Sequence, residues 1–397
     1  MTVVADVPVK SSRITSIDIV RGLVCVLMAI DHVRVYSGQP AGGPTYGIFF
    51  TRWVTHFVAP AFVFFAGTGA FLHGQKLADR GKLARFLVSR GLWLVILELT
   101  FLRFAWTFNF DYAHYSLAGV IWMLGWCMAL LAAAIYLPLS AIAAVGVLMV
   151  VFQNLLYPLF NSLHAAEGGA LEALLNVLYL GGGFSFFGKD GPPTLVLFVI
   201  IPWIGVMMAG YAFGPVMRWA PERRRSFCLR LGIAMTLLFV VLRFFDLGDG
   251  AKWHERVTKG WPALLAFLGT SKYPPSLDFL LMTLGPAITL LPLVENAKGT
   301  VAHVLEVFGR VPLFYYILHI PLIHLSAVVV SLIRTGSVTP WMFANHPMNP
   351  GRAPDGYMWG LGLLYLDWAI CIALLYFPCK WFAGVKARSK NPLLSYL

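Results

Sequence analysis

"VRGLVCVLMAIDHVR", residues 20–34, is apolar enough to lie in lipid, yet it holds Arg21 at one end and Asp31, His32 and Arg34 at the other. Ionisable groups in such a run are costly and usually face a bundle interior or a wet cavity. The rest of the chain identifies the solvent. Of its 397 residues 59% are hydrophobic and only 12% charged, against about 25% charged in an average soluble domain. Mean hydropathy is +0.74, and a water-soluble fold of this length could not cover so much apolar surface. The apolar runs are continuous rather than alternating, which points to helices and not barrel strands.

A helix needs about 20 residues to cross the hydrocarbon. On that measure the sequence predicts spans over Ile17–Tyr36, Thr51–His73, Leu87–Phe104, Ser116–Tyr136, Leu139–Leu159, Thr194–Pro215, Leu229–Phe245, Ser276–Val294, Val311–Leu332 and Met358–Phe377. The run Leu171–Leu180 is too short to cross. The expected fold is an all-α polytopic membrane helix bundle of about ten transmembrane helices, one domain over residues 1–397. The polar leader "MTVVADVPVKSSR" precedes a run that ends in Asp-His-Val-Arg. A cleaved signal wants small residues there, so the first span is expected to be retained.

Lysine and arginine set the orientation. Lys76, Arg80, Lys82, Arg85 and Arg90 follow the second span. Arg218, Arg223, Arg224, Arg225 and Arg230 follow the sixth. Lys380, Lys386, Arg388 and Lys390 form the tail. All fall on one side if both termini are cytoplasmic. This bias accounts for the net charge of +12 and carries no implication of nucleic-acid binding, since no basic stripe is interleaved with aromatics on a soluble domain. The five cysteines form neither a disulfide framework nor a zinc spacing and are expected to be buried packing. In "YLGGGFSFFGKDGPP" no Lys-Ser or Lys-Thr follows the glycines in phosphate-loop register, so the stretch reads as a backbone turn near the membrane surface.

Arg21 and His32 are 11 residues apart, about 20° beyond three full helical turns, so they share one face with about 16 Å of axis between them. Asp31 points elsewhere and can pair with Arg34 at i+3. The second span repeats the pattern: Arg52 and His56 lie four residues apart on one face, Pro60 can kink the helix, and Gly67 and Gly69 allow close helix packing. Farther on, His319 and His324 are five residues apart, about 140° around a helix, and do not form one ligand face. No metal site is expected. Asp367 is buried in the last span and needs a partner or a proton.

"SIDIVRGLVCVLMAIDHVR", "FFTRWVTHFVAPAFVFFAGTGAFL", "KYPPSLDFLLMTLGP" and "GRVPLFYYILHIPLIH" together resemble the bacterial branch of the heparan-alpha-glucosaminide N-acetyltransferase catalytic family, over nearly the whole chain. The Arg21-to-His32 spacing also resembles the first helix of the wider class of membrane acyltransferases that modify surface sugars. The resemblance implies acyl transfer across a bacterial inner membrane, from a cytoplasmic thioester, typically acetyl-CoA or another acyl-CoA, to an amine or hydroxyl of a glycan on the outer side. It implies that His32 corresponds to the active histidine of the wider class and His319 to a late histidine of the lysosomal enzyme, whereas His56 falls where that enzyme looks to carry an aspartate. The residues themselves add His56 as a third catalytic candidate, Arg21 for the CoA phosphates, and Asp31, Arg34 and Arg52 as support. The loop "SGQPAGGPTYGIFF" departs from the lysosomal relative in holding no histidine, which leaves the identity of the base open.

Base chemistry suits these residues. An acetyl thioester is already activated, and transfer needs a base for the acceptor and donors for the oxyanion; neutral imidazole serves as the base. The competing class is a multi-span transporter or flippase, with Pro60, Pro202, Pro286 and Pro321 marking broken helices. Against it, the chain shows no inverted repeat and few membrane acids for a proton relay. Oligomeric state is open, a homo-oligomer included.

Overall fold

The computed structural model describes residues 14–163, 170–185, 191–389 and 391–397. The leader 1–13, Lys390 of the basic tail and positions 186–190 of the glycine-rich stretch lie outside them. The protein is mostly helical. In chain order come α1 (Thr15–Ser37), α2 (Tyr46–Trp53), α3 (Val58–Leu77), α4 (Arg80–Leu97) and α5 (Arg103–Thr107), then α6 (Val120–Ala134), α7 (Leu139–Phe152), α8 (Leu156–Leu163) and α9 (Ala170–Leu175). There follow α10 (Ile201–Phe213), α11 (Pro221–Phe244), α12 (Trp253–Thr258), α13 (Ala263–Leu268), α14 (Leu277–Val294), α15 (Thr300–Arg310), α16 (Pro312–Thr335) and α17 (Leu361–Arg388). A 3-10 turn over Val54–Phe57 joins α2 to α3, just before Pro60.

Six helical stretches are long and apolar enough to cross a membrane: Tyr46–Leu77, Leu139–Leu163, Pro221–Phe244, Leu277–Val294, Pro312–Thr335 and Leu361–Arg388. They coincide with six of the ten expected spans. The other four are helical but do not qualify by length and composition alone. α1 has 23 residues but carries Asp18, Arg21, Asp31 and Arg34. α4 begins with Arg80, Lys82 and Arg85 and gives way to a π turn at Glu98–Leu102. The expected spans from Ser116 and from Thr194 each begin as a strand, which leaves helices of only 15 and 13 residues.

Those strands belong to a small sheet that was not expected. β1 (Ser116–Ala118) pairs in parallel with β3 (Pro193–Val196), in register Ser116 to Thr194, and β2 (Gly182–Ser185) pairs antiparallel on the other side of β3, Gly182 to Val196. The glycine run enters strand β2. Gly181 and Gly182 have φ of 73° and 94°, a left-handed backbone that glycine adopts without steric cost.

α1 is the centre of the bundle and packs against α3, α14, α15, α16 and α17. Two helix crossings depend on missing side chains. A Cβ on Gly22 would overlap the Leu305 carbonyl of α15, and one on Gly309 would overlap the Asp18 carbonyl of α1. The same reciprocity joins α3 to α10, with Gly67 against Met207 and Gly210 against Phe64. Gly69, by contrast, faces the Arg21 guanidinium. Such small-residue contacts let backbones approach where hydrophobic burial supplies no drive between helices. The outward faces are apolar, with Leu237, Ile333 and Phe377 59%, 79% and 69% exposed. This is the surface of an integral membrane protein, whose solvent there is hydrocarbon. All five cysteines are buried and unpaired, as expected.

The ends of the bundle differ. Arg218 donates to Gln75 Oε1 at 2.7 Å, and Arg224 pairs with Glu295. These contacts gather the basic loops where α3 and α14 end and α11 begins. The opposite end holds the start of α14, the end of α11 and the last turns of α1.

Candidate active site

His32, near the end of α1, meets His319 of α16: His32 Nδ1 lies 2.6 Å from His319 Nε2. His319 Nδ1 faces two carbonyls, Tyr316 O at 2.7 Å and Tyr315 O at 3.2 Å. Carbonyls only accept, so His319 carries its proton on Nδ1 and its Nε2 is an acceptor. His32 must then donate from Nδ1, which leaves His32 Nε2 with a lone pair. Of the four ring nitrogens, that one alone is free to take a proton. Trp106 packs edge-on against the His32 ring at 4.8 Å, and Tyr316 does so at 6.3 Å.

Beside the pair, Asp31 accepts from Arg34 Nε at 2.8 Å, as the i+3 spacing predicts, and also pairs with Arg52 from α2. Arg52 Nη2 reaches Tyr273 OH at 3.4 Å, and the Lys272 ammonium lies 5.2 Å from the Tyr273 ring. Burial pulls the Lys272 ammonium below the ordinary lysine value. For Tyr273 burial acts upward, but the Lys272 and Arg52 charges outweigh it and leave the phenol below its ordinary value.

Two cavities share this ionic wall. The inner chamber, about 180 Å³, is lined by His32, Glu98, Trp106, Tyr316, Leu117 and Phe198 among others. The outer cavity, about 580 Å³, is lined by His56, Trp53, Arg256 and Trp261 among others. Arg52, Lys272 and Tyr273 line both. The expected cluster of three imidazoles is thus a pair plus His56 across the wall, where the His56 ring packs on Phe279 at 5.4 Å. Arg21 lines neither cavity and donates to Phe65 O of α3 at 2.5 Å. His324 is structural: it sits against Ala105 O at 3.0 Å and stacks on Phe108 and Tyr36. Asp367 accepts from Ser326 at 3.0 Å.

Glu98, Lys272, Tyr273 and Tyr316 were not singled out in the sequence. Glu98 Oε2 accepts from the amides of Ile121 and Trp122 at 2.8 and 3.2 Å, at the start of α6, while Oε1 is buried without a partner among the described residues. An acid within an apolar run, as in "VILELTF", was the available signal. Lys272 and Tyr273 sit on a loop held from two sides. Fully buried Arg243 donates to the carbonyls of Ala251, Ala266, Phe267 and Gly269 at 2.7–3.0 Å. Asp249 accepts from Ser271 N, Ser271 Oγ and Ser276 Oγ at 2.7–2.8 Å. Asp249→Ala removes hydrogen bonds to a charged group worth about 1.5–3 kcal/mol each; a lowered melting temperature in detergent is expected as the loop loosens. Among the described residues no group of three or more His, Cys, Asp or Glu could hold a metal.

The histidine pair thus borders a partly open chamber inside a membrane helix bundle. The chain belongs to the heparan-alpha-glucosaminide N-acetyltransferase catalytic family, whose pattern matches residues 13–249, more than half of it. That family consists of membrane N-acetyltransferases, and the chain is a membrane acyltransferase; the transport alternative is not favoured. In a comparison with curated proteins, nothing matches.

Proposed function

We propose that the protein moves an acetyl group from cytoplasmic acetyl-CoA to an amine or hydroxyl of a glycan on the outer side of a bacterial inner membrane. His32 is the general base, His319 holds its tautomer, and His56 orients the acceptor. The observation that carries this reading is the relay from Tyr316 O through His319 to His32, which leaves one basic nitrogen on a residue that lines the chamber with Glu98, Trp106 and Tyr316. The acceptor's N–H or O–H proton passes to His32 Nε2 as its heteroatom attacks the thioester carbon. The carbon–sulfur bond then breaks, and the thiolate leaves and recovers that proton as a thiol. Lys272 and Arg52, which line the same chamber as His32, are the donors offered to the oxyanion.

Sidedness agrees with this scheme. The basic loops lie at one end of the bundle, His32 lies toward the other end of α1, and positive loops face the cytoplasm. Ten spans with both termini cytoplasmic fit the same polarity. Arg21 lies toward the inner end of α1, where a CoA phosphate would arrive. Residues 1–397 act as one unit, since His319 and Lys272 fall beyond residue 249 yet share the site with His32. Purified protein in detergent, given radiolabelled acetyl-CoA and an amino-sugar acceptor, is expected to release free CoA and acetylated acceptor in equal amounts. Acceptor uptake into sealed vesicles without covalent change would overturn the proposal.

A further inference from the structure

One face of α11 mixes charge with apolar surface. Arg223, Phe227, Arg230, Leu237, Val241 and Phe244 follow one another in steps of four, three, seven, four and three residues, which keeps them on one side of a helix. All six are exposed. On its other side α11 packs along α14, where Gly232 and Gly285 let the two backbones meet. The exposed stripe therefore faces hydrocarbon over its apolar part. Asp246 is the first polar residue beyond that part. Counting back from Phe245 by about 20 residues, the length that crosses the hydrocarbon, reaches position 226. Arg223 then stands just outside, at headgroup level, and Arg230 lies about one turn inside. A guanidinium on a lipid-facing surface at that depth turns its head to the boundary, where the phosphates are.

The protein does not neutralise either arginine. The positions three and four residues from them are Trp219, Ala220, Ser226, Phe227, Ile233 and Ala234, none of them acidic. Glu222 stands at i−3 from Arg225, and Glu295 is held by Arg224. Among the described residues no carboxylate pairs with Arg223 or Arg230. The Arg223 guanidinium lies over the Trp219 ring at 4.2 Å, a contact that attracts a cation but leaves its charge uncompensated. Trp219 packs edge-on against Phe227 at 5.1 Å, and Phe227 meets Phe213 of α10 at 6.5 Å. Two exposed guanidinium groups, about 10 Å apart along the helix axis, thus flank an aromatic floor with an apolar track beyond it.

We propose that this stripe is a binding site for an anionic phospholipid, its headgroup phosphate between Arg223 and Arg230 and an acyl chain along Phe227, Leu237 and Val241. Charge complementarity carries the assignment. Two cations without counter-ions at the depth of the phosphates favour a headgroup of net negative charge, and a zwitterionic lipid brings its own cation instead. The bound lipid braces α11, whose far end brings Arg243 to the carbonyls of Ala251, Ala266, Phe267 and Gly269. The site stands whether or not the inner chamber performs acyl transfer.

The test uses the full-length protein in detergent, titrated with dioleoylphosphatidylglycerol, with dioleoylphosphatidylcholine or with glycerol 3-phosphate. Binding is read by thermal shift and by native mass spectrometry. The anionic lipid is expected to raise the melting temperature and to bind roughly tenfold or more tightly than the zwitterionic one. Arg223→Gln and Arg230→Gln are each expected to reduce that ratio about fivefold, the scale of one basic side chain at an anionic surface. Arg225→Gln, on another side of α11 beside Glu222, is expected to leave the ratio unchanged. Equal binding of the two lipids would reduce the arginines to ordinary snorkelling and overturn the proposal. So would an equal fall in Arg225→Gln, which would mean diffuse surface charge, or glycerol 3-phosphate binding as tightly as the lipid, which would mean a site for a free anion.

Discussion

His32→Ala is expected to lower kcat/KM for acetyl transfer by about 10²–10⁴-fold, the usual contribution of a positioned general base, with little change in melting temperature. The reason is the tautomer chain. Two carbonyls hold His319 with its proton on Nδ1, its Nε2 fixes the proton of His32 on Nδ1, and one nitrogen remains for the proposed proton transfer. His319→Ala is therefore expected to fall into the same range although it removes no base, because the His32 ring is freed to take the unproductive tautomer. The double variant is expected to be no slower than His32→Ala, since residues acting as a unit are non-additive. Steady-state rates with saturating acetyl-CoA check all three. Independent, multiplying losses would mean that the two imidazoles do not act together.

Gly67→Val is expected to have the largest effect on the folded state. The new Cβ would meet the Met207 carbonyl, a backbone atom that cannot swing aside, where Gly210 of α10 already presses on Phe64 of α3. Overpacking costs typically 1–3 kcal/mol, and with backbone on both sides of the contact we expect about 3 kcal/mol or more. Loss of the monodisperse peak in detergent chromatography, or a melting temperature lowered by several degrees, is the readout. Gly43→Val is the control, since the only neighbour of a Cβ there is the flexible Ile48 side chain at 3.8 Å.

These residues show what a sequence discloses and what it withholds. Apolar length is additive along the chain, so the six long crossings could be read directly. The spacing of Asp31 and Arg34 is local, and their pairing followed from helical geometry alone. The meeting of His32 with His319 joins positions 287 residues apart; periodicity places each on a helix but says nothing of which helices adjoin. The sheet was hidden for the same reason. β1 and β3 are three and four residues long, pair across a long separation, and look like the first turns of apolar helices. Glu98 lies within an apolar run, which does not disclose that its carboxylate holds the start of α6. The ionic wall was half legible: Arg52 stood out beside His56, whereas Lys272 and Tyr273 lie in a loop whose position is set by Arg243 and Asp249.

The short sheet has a bearing on wasted chemistry. An acetyl thioester beside a basic nitrogen is open to attack by any nucleophile, and water is the most abundant. β1 and β3 extend into Leu117 and Phe198 on the chamber lining, a stretch of non-helical backbone whose amides and carbonyls are largely satisfied by one another and which can therefore lie at membrane depth. On the proposed reading this wall limits the approach of water to a bound thioester, so idle turnover would be governed by how closely the wall packs rather than by the strength of the base.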